Sequence, residues 1–405
     1  MIKKKVLMQG DSPLANTGLG RLTRYILSEL KKETEIEYDI TLVGVNHFTT
    51  FYDMEKYPYK IHSPLLTGEP QGYALFAQLL KQEEFDIVFV SNDIDVTDQF
   101  QPDIMEAKKR NKNLKYIVYS PFDMPSTRKE RLARWKTADV CLTYNKFGYD
   151  LALNADSSLS DRLDYVYLPT DFSEFYPEDK DKIKDFRKRV FGIDDDTFLV
   201  INVNRNQWRK DLGRTMFGFR MFNSEYKNSM LYIHAKQNDM GGDLTQLAYV
   251  MGLDETNFKT TPESFHEAKG VKQSQLNMIY NSADVIVSTA VGGGWEFSTT
   301  EAMATKRPIL VPDNTCFTEV IGKNEERGYL AKSGTTLSEW SISYGFGVIP
   351  RPLTNVESFL TKLTHIYKNK DEATKKTEVA YEWLKQNCDI NLIGQKWRNI
   401  FKSIS

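Results

Sequence analysis

The stretch SADVIVSTAVGGGWEFSTTEAMATKRPILVPD, residues 282–313, decides how this 405-residue chain folds. An apolar run, Val285–Ser288, leads into three consecutive glycines, a helical stretch around Glu301, and a second apolar run, Ile309–Val311. A strand, a helix and another strand in succession form the unit from which parallel sheets are built. The stretch therefore predicts an α/β fold.

The same alternation of apolar runs and helical stretches recurs along the rest of the chain. Eight further runs are predicted to be strands: Lys5–Met8, Ile40–Val45, Ile87–Val90, Tyr116–Tyr119, Val140–Thr143, Tyr165–Leu168, Phe198–Val203 and Met230–His234. Ten strands are too many for one compact sheet of this length, and prolines and charges at residues 169–184 interrupt the series. We therefore expect two Rossmann-like domains, residues 1–175 and 176–380, followed by a helical segment at 381–405.

The composition excludes several classes of protein. Lys and Arg total 53 and Asp and Glu total 55, and the resulting net charge of −2 excludes a globally basic nucleic-acid binder. No apolar run approaches the roughly 18 residues that a membrane span needs, and residues 1–11 turn polar too early for a signal peptide. Three widely separated cysteines indicate neither a disulfide framework nor a zinc site. A cytoplasmic protein is expected.

Three loops that follow predicted strands carry residues suited to an anionic ligand, and the first spans residues 9–24. Gly18 and Gly20 lie in it at the start of a helix that runs to Leu30. Glycine lets backbone amides approach an anion closely, and a helix N-terminus attracts negative charge. A tight strand–helix turn explains the same glycines equally well.

The second loop follows the predicted strand Phe198–Val203 and contains Arg205 and Lys210. A guanidinium offers a planar fork and an ammonium offers a point charge, so the two side chains can converge on one diphosphate. A solvated basic helix start is the alternative.

The third loop is the glycine run 292–294. Gly293, Gly294 and the following Trp295 leave main-chain amides accessible to a ligand or its phosphates. Glu301, one or two turns into the next helix, can accept hydrogen bonds from two vicinal hydroxyls, such as those of a ribose. A solvated carboxylate is the alternative for Glu301, but its neighbours Ala302–Ala304 favour a packed helix, in which a carboxylate needs a partner.

These motifs together carry a family resemblance that covers nearly the whole chain. The chain resembles retaining family-4 glycosyltransferases of the GT-B fold. The matching segments are TGLG (17–20), LPTDFSEFYP (168–177), Arg205 with Lys210, and EAMA (301–304). Four short segments are most similar in style to phage and archaeal members of that family: GDSP (10–13), TGLGR (17–21), LYIHA (231–235) and GGDL (241–244).

The resemblance implies two Rossmann-like domains that face each other across a cleft, with the helix at 381–405 packing back on the first. It also implies a nucleotide-sugar donor, UDP- or GDP-linked, from which a hexose or pentose is moved to an acceptor hydroxyl with retention. No cofactor and no essential metal are expected. The donor-binding residues so implied are Gly18, Gly20, Arg205, Lys210, Gly293, Gly294, Trp295 and Glu301.

The chain departs from the family pattern at two positions. The family usually has a second glutamate eight positions before Glu301, where this chain has Gly293, and Glu296 is the candidate replacement. Many relatives place a histidine near the reaction centre where this chain has Asp123. If Asp123 were a general base on the opposite face of the sugar, the outcome would be inversion. The predicted catalytic residues are Asp123, Arg205, Lys210 and Glu296.

A local charge anomaly bears on the acceptor. Residues 108–136 contain ten basic and two acidic residues, a net +8 over 29 residues, with aromatic residues interleaved. This pattern suits a polyanion, so it predicts an acceptor-binding surface. With the likeness to phage members, it favours a hydroxymethylated pyrimidine in DNA, in a host cytoplasm. The predicted acceptor-binding residues are Arg128, Lys129, Arg131 and Arg134.

Other interpretations stay open at this point. The basic segment can be a solvated helix face, and the acceptor can be a lipid, a surface glycan or a protein. A module that binds a nucleotide-sugar without transferring the sugar is the alternative from another class. A dinucleotide oxidoreductase is disfavoured because neither half contains G-x-G-x-x-G.

Overall fold

A computed structural model describes residues 2–49, 51–265, 270–345 and 347–405. The strands within these residues are β1 (Ile2–Asp11), β2 (Ile36–Val45), β3 (Lys60–His62), β4 (Ile87–Ser91), β5 (Lys115–Ser120), β6 (Val140–Thr143), β7 (Leu163–Tyr165), β8 (Phe198–Val203), β9 (Ser229–His234), β10 (Asn238–Asp239), β11 (Gly242–Asp243), β12 (Phe258–Thr260), β13 (Val285–Val287), β14 (Ile309–Pro312), β15 (Tyr329–Ala331), β16 (Trp340–Gly345) and β17 (Gly347–Pro352). The helices are α1 (Gly18–Leu30), α2 (Tyr73–Gln82), α3 (Ile94–Arg110), α4 (Lys146–Ala155), α5 (Lys180–Phe186), α6 (Leu212–Glu225), α7 (Leu244–Val250), α8 (Gln273–Ser282), α9 (Phe297–Ala304), α10 (Thr315–Ile321), α11 (Val356–Lys368), α12 (Lys370–Cys388) and α13 (Ile390–Ile404).

The chain divides into two compact units. The first comprises Met1–Phe122, Ser126–Pro169 and Ile390–Ser405, and the second comprises Asp123–Pro125 and Thr170–Asp389. Apart from the short segment Asp123–Pro125, the chain passes between units after residues 169 and 389, where the sequence predicts boundaries after residues 175 and 380. The helix α12 crosses the second predicted boundary without a break.

The first unit is built on a seven-stranded parallel sheet in the order β3-β2-β1-β4-β5-β6-β7. Its central strands are apolar on both faces because helices cover both sides of the sheet. The helix α1 begins where the Thr17 hydroxyl accepts a hydrogen bond from the Gly20 amide at 2.8 Å, which caps the first turn.

The C-terminal helix α13 packs within the first unit. Ile393, Trp397 and Phe401, spaced four residues apart, form its buried face. The Trp397 ring lies 5.8 Å from the ring of Phe89 and 4.9 Å from that of Tyr119. This aromatic contact joins the end of the chain to the central strands β4 and β5.

The second unit is built on a six-stranded parallel sheet in the order β12-β9-β8-β13-β14-β15. An antiparallel hairpin of β16 and β17 follows the last of these strands. Both large sheets have the strand order of a Rossmann fold. In this order the chain first builds the sheet outward in one direction and then returns to build it in the other, and the change occurs between β1 and β4 in the first sheet and between β8 and β13 in the second.

Each of the ten predicted strands is found, nine of them within a few residues of the expected bounds. The strand β7 ends where its predicted run, Tyr165–Leu168, begins. Val166 and Leu168 are buried without lying in the sheet, so their apolar character reflects the core rather than a strand. No helix among the described residues is long and apolar enough to cross a membrane.

Candidate functional site

The candidate site lies in the second unit at the carboxyl ends of β8 and β13. These adjacent strands are where the chain reverses direction across the sheet, the position at which ligands of open parallel sheets bind. The segment Arg205–Lys210 follows β8, and the glycine run 292–294 follows β13. Two of the three predicted ligand loops therefore converge on one edge.

Lys210 and Glu296 form a buried ion pair at this edge. The Lys210 ammonium donates a hydrogen bond to Glu296 Oε1, and the two side chains are only 9% and 6% exposed. Arg209 Nη1 lies 3.8 Å from the same carboxylate oxygen. Burial lowers the pKa of Lys210, and the charge of Glu296 opposes that change. A buried cation of this kind needs an anion beside it.

Glu296 occupies the space that Gly293 leaves open. A Cβ at position 293 would lie 2.8 Å from Glu296 Oε1 and 3.0 Å from its Cγ. The backbone of Gly293 is outside the left-handed region, so a side chain at position 293 would be opposed by the nearby carboxylate rather than by the backbone conformation. The Glu296 carboxylate therefore lies directly beside position 293, where the family usually has a glutamate, and Glu296 stays the candidate replacement.

Glu301 is buried in α9 and has a hydrogen-bond partner. The Tyr280 hydroxyl, from α8, donates to Glu301 Oε2 at 2.5 Å. Both residues are at most 4% exposed. The sequence predicts that Glu301 needs a partner, and the structure identifies Tyr280 as one.

Arg205 and Lys210 have different partners in this structure. Arg205 is exposed, and its Nε donates to Asp239 Oδ2 at 2.8 Å, whereas Lys210 is buried against Glu296. The expected convergence of the two cations on one anion is therefore not visible in the arrangement of their side chains. Both still lie on the loop that follows β8.

Arg209 was missed by the sequence reasoning although it adjoins Lys210. Its Nη1 donates to the Gly292 carbonyl at 2.8 Å, and its own carbonyl accepts from the Val291 amide at 3.0 Å. Arg209 therefore ties the loop after β8 to the glycine run. The only signal in the sequence was a second basic residue next to Lys210, and it does not separate Arg209 from a solvated arginine.

Asp123 belongs to the short segment Asp123–Pro125, which clusters with the second unit. Arg351, from β17, donates to Asp123 Oδ2 at 3.0 Å and to the Asp123 carbonyl at 2.5 Å. The Arg351 side chain is 6% exposed. Sequence reasoning missed Arg351 because it lies in a hairpin, 228 residues away along the chain, that was not predicted.

The predicted glycine loop of the first unit has structural uses for its residues. Gly18 is exposed at the first position of α1, and Gly20 is buried where a Cβ would lie 2.4 Å from the Ala15 carbonyl. The Gly20 amide donates to the Thr17 hydroxyl, which caps the helix, and the Thr17 hydroxyl in turn donates to the Asp11 carboxylate. Burial raises the pKa of Asp11.

Most cations of the basic segment of the first unit, defined as residues 108–136, contact acidic side chains or backbone carbonyls that lie outside the segment. Arg131 pairs with Asp95, and the Lys129 and Lys136 ammoniums lie 3.8 Å and 2.9 Å from Asp156. Further contacts of the segment are Lys108 and Lys115 with Asp139, Lys109 with Glu106, Arg110 with the Leu80 carbonyl, and Arg134 with the Asp98 carbonyl. Arg128 is exposed.

The part of the chain that the structure describes contains no group of three or more His, Cys, Asp or Glu side chains placed to hold a metal ion.

Comparisons with known proteins were made at the levels of sequence and structure. No protein-family model matches the chain, and no curated protein matches its sequence. The structure, in contrast, matches solved structures over its full length. The protein HepE from Anabaena, in complex with UDP-glucose, matches with a TM-score of 0.68 and 12% identity, covering 99% of this chain and 100% of that one.

Two further matches have the same extent. A glycosyltransferase from Rickettsia africae has a TM-score of 0.71 at 15% identity, covering 99% of this chain and 98% of that one. The sucrose-phosphate synthase from Thermosynechococcus elongatus has a TM-score of 0.71 at 12% identity, covering 100% and 99%. These matches confirm the predicted α/β class with two Rossmann-like domains of the GT-B type. They give no support to the likeness to phage and archaeal members.

Proposed function

We propose that this protein is a glycosyltransferase that moves a sugar from a nucleotide-sugar donor to an acceptor hydroxyl. The observation that carries the proposal is the buried Lys210–Glu296 pair, with Arg209 beside it, at the carboxyl ends of β8 and β13. A buried lysine with a partly buried arginine beside it at that edge of a parallel sheet suits a diphosphate. The full-length match to HepE, solved with UDP-glucose, supports a UDP-linked donor.

The proposed role of the cations is to stabilise the leaving diphosphate. Charge accumulates on the diphosphate as the bond to the sugar breaks, and fixed cations in a site shielded from water stabilise that charge most effectively. Lys210 and Arg209 are the nearest candidates, and the amides of Gly293, Gly294 and Trp295 add hydrogen-bond donors. The donor-binding role predicted for Arg205, Gly18 and Gly20 stays a prediction. Arg205 would bind a phosphate by exchanging its present contact with Asp239.

Glu301 is proposed to hold the donor ribose. A carboxylate can accept hydrogen bonds from both vicinal hydroxyls of a ribose, and Tyr280 fixes its orientation through Oε2. Burial of both side chains keeps water from competing for these hydrogen bonds.

Retention is the proposed stereochemical outcome, on the strength of the family resemblance. A general base that takes the proton of the acceptor hydroxyl on the face of the sugar opposite the leaving diphosphate would give inversion, and Asp123 is the candidate for that role. Since Asp123 Oδ2 already accepts a hydrogen bond from Arg351, we assign Asp123 to organising the site instead. The anomeric configuration of the first product, read from its NMR coupling constant, decides between the two outcomes.

A hydroxymethylated pyrimidine in DNA stays a prediction for the acceptor. The net charge of the basic segment favours it. The ion pairs of Arg131 with Asp95 and of Lys129 with Asp156 weigh against it, because paired cations release fewer counterions from DNA. A lipid, surface-glycan or protein acceptor is the alternative within the same chemistry.

The test of the enzymatic proposal is nucleoside diphosphate release from UDP-, GDP-, ADP- and dTDP-sugars, each with and without hydroxymethylcytosine DNA. Release with at least one donor is expected, and Lys210→Met should lower its rate by about 100- to 1,000-fold. Lys227→Met is the matched control, because Lys227 is an exposed lysine at the opposite end of the strands. Binding of a nucleoside diphosphate without release across the panel would instead support the binding-only module.

The DNA acceptor has its own test. Replacing Arg128, Lys129, Arg131 and Arg134 by Ser should abolish release that depends on modified DNA while leaving donor binding unchanged. Unchanged stimulation by DNA in this variant, or no stimulation in the parent, would exclude the acceptor surface. Donor release that ignores DNA would turn the search to lipid, glycan and protein acceptors.

A further inference from the structure

The position of the Glu296 carboxylate does not serve the helix that it precedes. Glu296 is the N-cap residue of α9, yet its side chain makes no capping hydrogen bond to the helix amides. Ser, Thr, Asp and Asn are the residues that usually perform that function. The carboxylate points instead to the Lys210 ammonium, with Arg209 Nη1 3.8 Å away.

The carboxylate also has room that another residue leaves for it. Gly293 lacks the Cβ that would lie 2.8 Å from Glu296 Oε1. A single methyl group at position 293 would therefore compete with the carboxylate for its place. In the space that Gly293 leaves, Glu296 therefore places an anion beside Lys210 and Arg209.

We propose that Glu296 is a built-in anion that occupies the diphosphate position on Lys210 until the donor displaces it. The inference rests on the proposed function, since it assumes that a diphosphate binds at Lys210. Before the donor binds, Glu296 neutralises a buried cation that is costly to leave without an anion. When the donor binds, its diphosphate and the Glu296 carboxylate, which are both anionic, compete for the Lys210 ammonium.

The competition has two consequences. The diphosphate binds more weakly than its contacts alone would allow, because only the fraction of molecules with Glu296 off Lys210 is competent to bind. Once displaced, the Glu296 carboxylate stays in a buried site and needs new hydrogen-bond donors. The hydroxyls of the donor sugar are the donors that a nucleotide-sugar brings with it.

The first experiment compares UDP and GDP binding by calorimetry in the parent protein and in Glu296→Gln. The amide keeps the size of the side chain but removes the competing charge. UDP is expected to bind about tenfold more tightly to the variant, as the competent fraction of molecules rises. The transfer rate is expected to fall, because the carboxylate is no longer available to the donor sugar.

A second variant displaces the carboxylate without removing it. Gly293→Ala is expected to tighten UDP binding, because the added methyl group pushes Glu296 away from Lys210. The double variant Gly293→Ala with Glu296→Ala is the control, since the methyl group has no carboxylate to displace there. Tighter binding should therefore appear in the parent background and disappear in the Glu296→Ala background.

The opposite results would overturn the inference. If Glu296 only holds Lys210 in place, UDP binds more weakly to Glu296→Gln than to the parent. If the methyl group at position 293 acts by itself, its effect is the same with and without Glu296. A parent protein that binds neither UDP nor GDP would contradict the proposed function itself, which is a distinct outcome.

Discussion

Two basic regions of this molecule differ in their exposure and in their position relative to the sheets. Residues 128–136 of the first unit are mostly exposed, and Arg131, Lys129 and Lys136 pair with acidic residues of other elements. Arg209 and Lys210 of the second unit lie at the edge of the sheet, and Lys210 is buried. The first region has the higher charge density in the sequence, but the second has its cations where a ligand can bind.

The difference shows that a local charge count does not reveal which cations already have acidic partners in the fold. The acidic partners Asp95 and Asp156 lie outside the basic segment in the sequence, so a count within residues 108–136 cannot include them. Partly exposed pairs of this kind contribute modest energy because water screens them. A buried ion pair interacts more strongly with anything that replaces one of its members.

The largest effect is expected when the buried cation is removed. Lys210→Met should lower the transfer rate by about 100- to 1,000-fold, as loss of one preorganised charge-stabilising group does. Arg131→Ala, in the basic segment, should leave donor turnover without acceptor unchanged. Steady-state nucleoside diphosphate release measures both, and thermal unfolding checks that each variant is folded. Equal losses in the two variants would remove the distinction between the regions.

A smaller effect is expected at the proposed ribose contact. Glu301→Gln should raise the KM for the donor by about 10- to 100-fold, because hydrogen bonds to a charged group are lost. Tyr280→Phe, which removes only the donor to Glu301 Oε2, should raise it less. A 2′-deoxyribose donor provides the specific readout. The parent should discriminate against it, and Glu301→Gln should discriminate less; undiminished discrimination would place the ribose elsewhere.

The fold was largely predictable because buried parallel strands are continuous apolar runs. Nine of the ten predicted strands follow that rule. The three-residue strands β3 and β12 contain a single apolar residue each and were missed, as was β15. The hairpin of β16 and β17 was also missed. Its residues alternate apolar and polar side chains with two prolines, a pattern that does not resemble the buried strands.

The sequence predicted which loops form the candidate site, but not which side chains contact one another within it. Lys210, Glu296, Gly293 and Glu301 lie on loops and helices that follow predicted strands, so their convergence follows from a parallel sheet. The pairing of Lys210 with Glu296 depends on side-chain packing across 86 residues of sequence. Arg351 and Tyr280 are further partners of this kind, which no local pattern indicates.

A modest effect on stability is expected in the basic segment. Arg131→Ala should lower the free energy of unfolding by about 1 kcal/mol, the upper range for a partly exposed ion pair. Arg128→Ala, at an exposed position nearby, should change it by less than about 0.5 kcal/mol. Urea titrations measure both. If Arg131→Ala has no effect on stability, its guanidinium is available for a ligand, and the acceptor surface regains support.

The smallest and most specific effect concerns the pH dependence of Asp156. The Lys136 ammonium and hydrogen bonds from Ser158 lower the pKa of Asp156 from 3.8 to about 2. In the unfolded chain the Asp156 carboxylate keeps its ordinary pKa of 3.8, so as the pH falls it is protonated there before it is protonated in the folded protein. The ionised carboxylate therefore stabilises the fold above pH 4, and this stabilisation is lost as the pH falls through 2. The difference in unfolding free energy between the parent and Asp156→Asn should therefore shrink between pH 5 and pH 2. A difference independent of pH would mean that Asp156 does not neutralise the lysines, and the two basic regions would then differ less than the structure indicates.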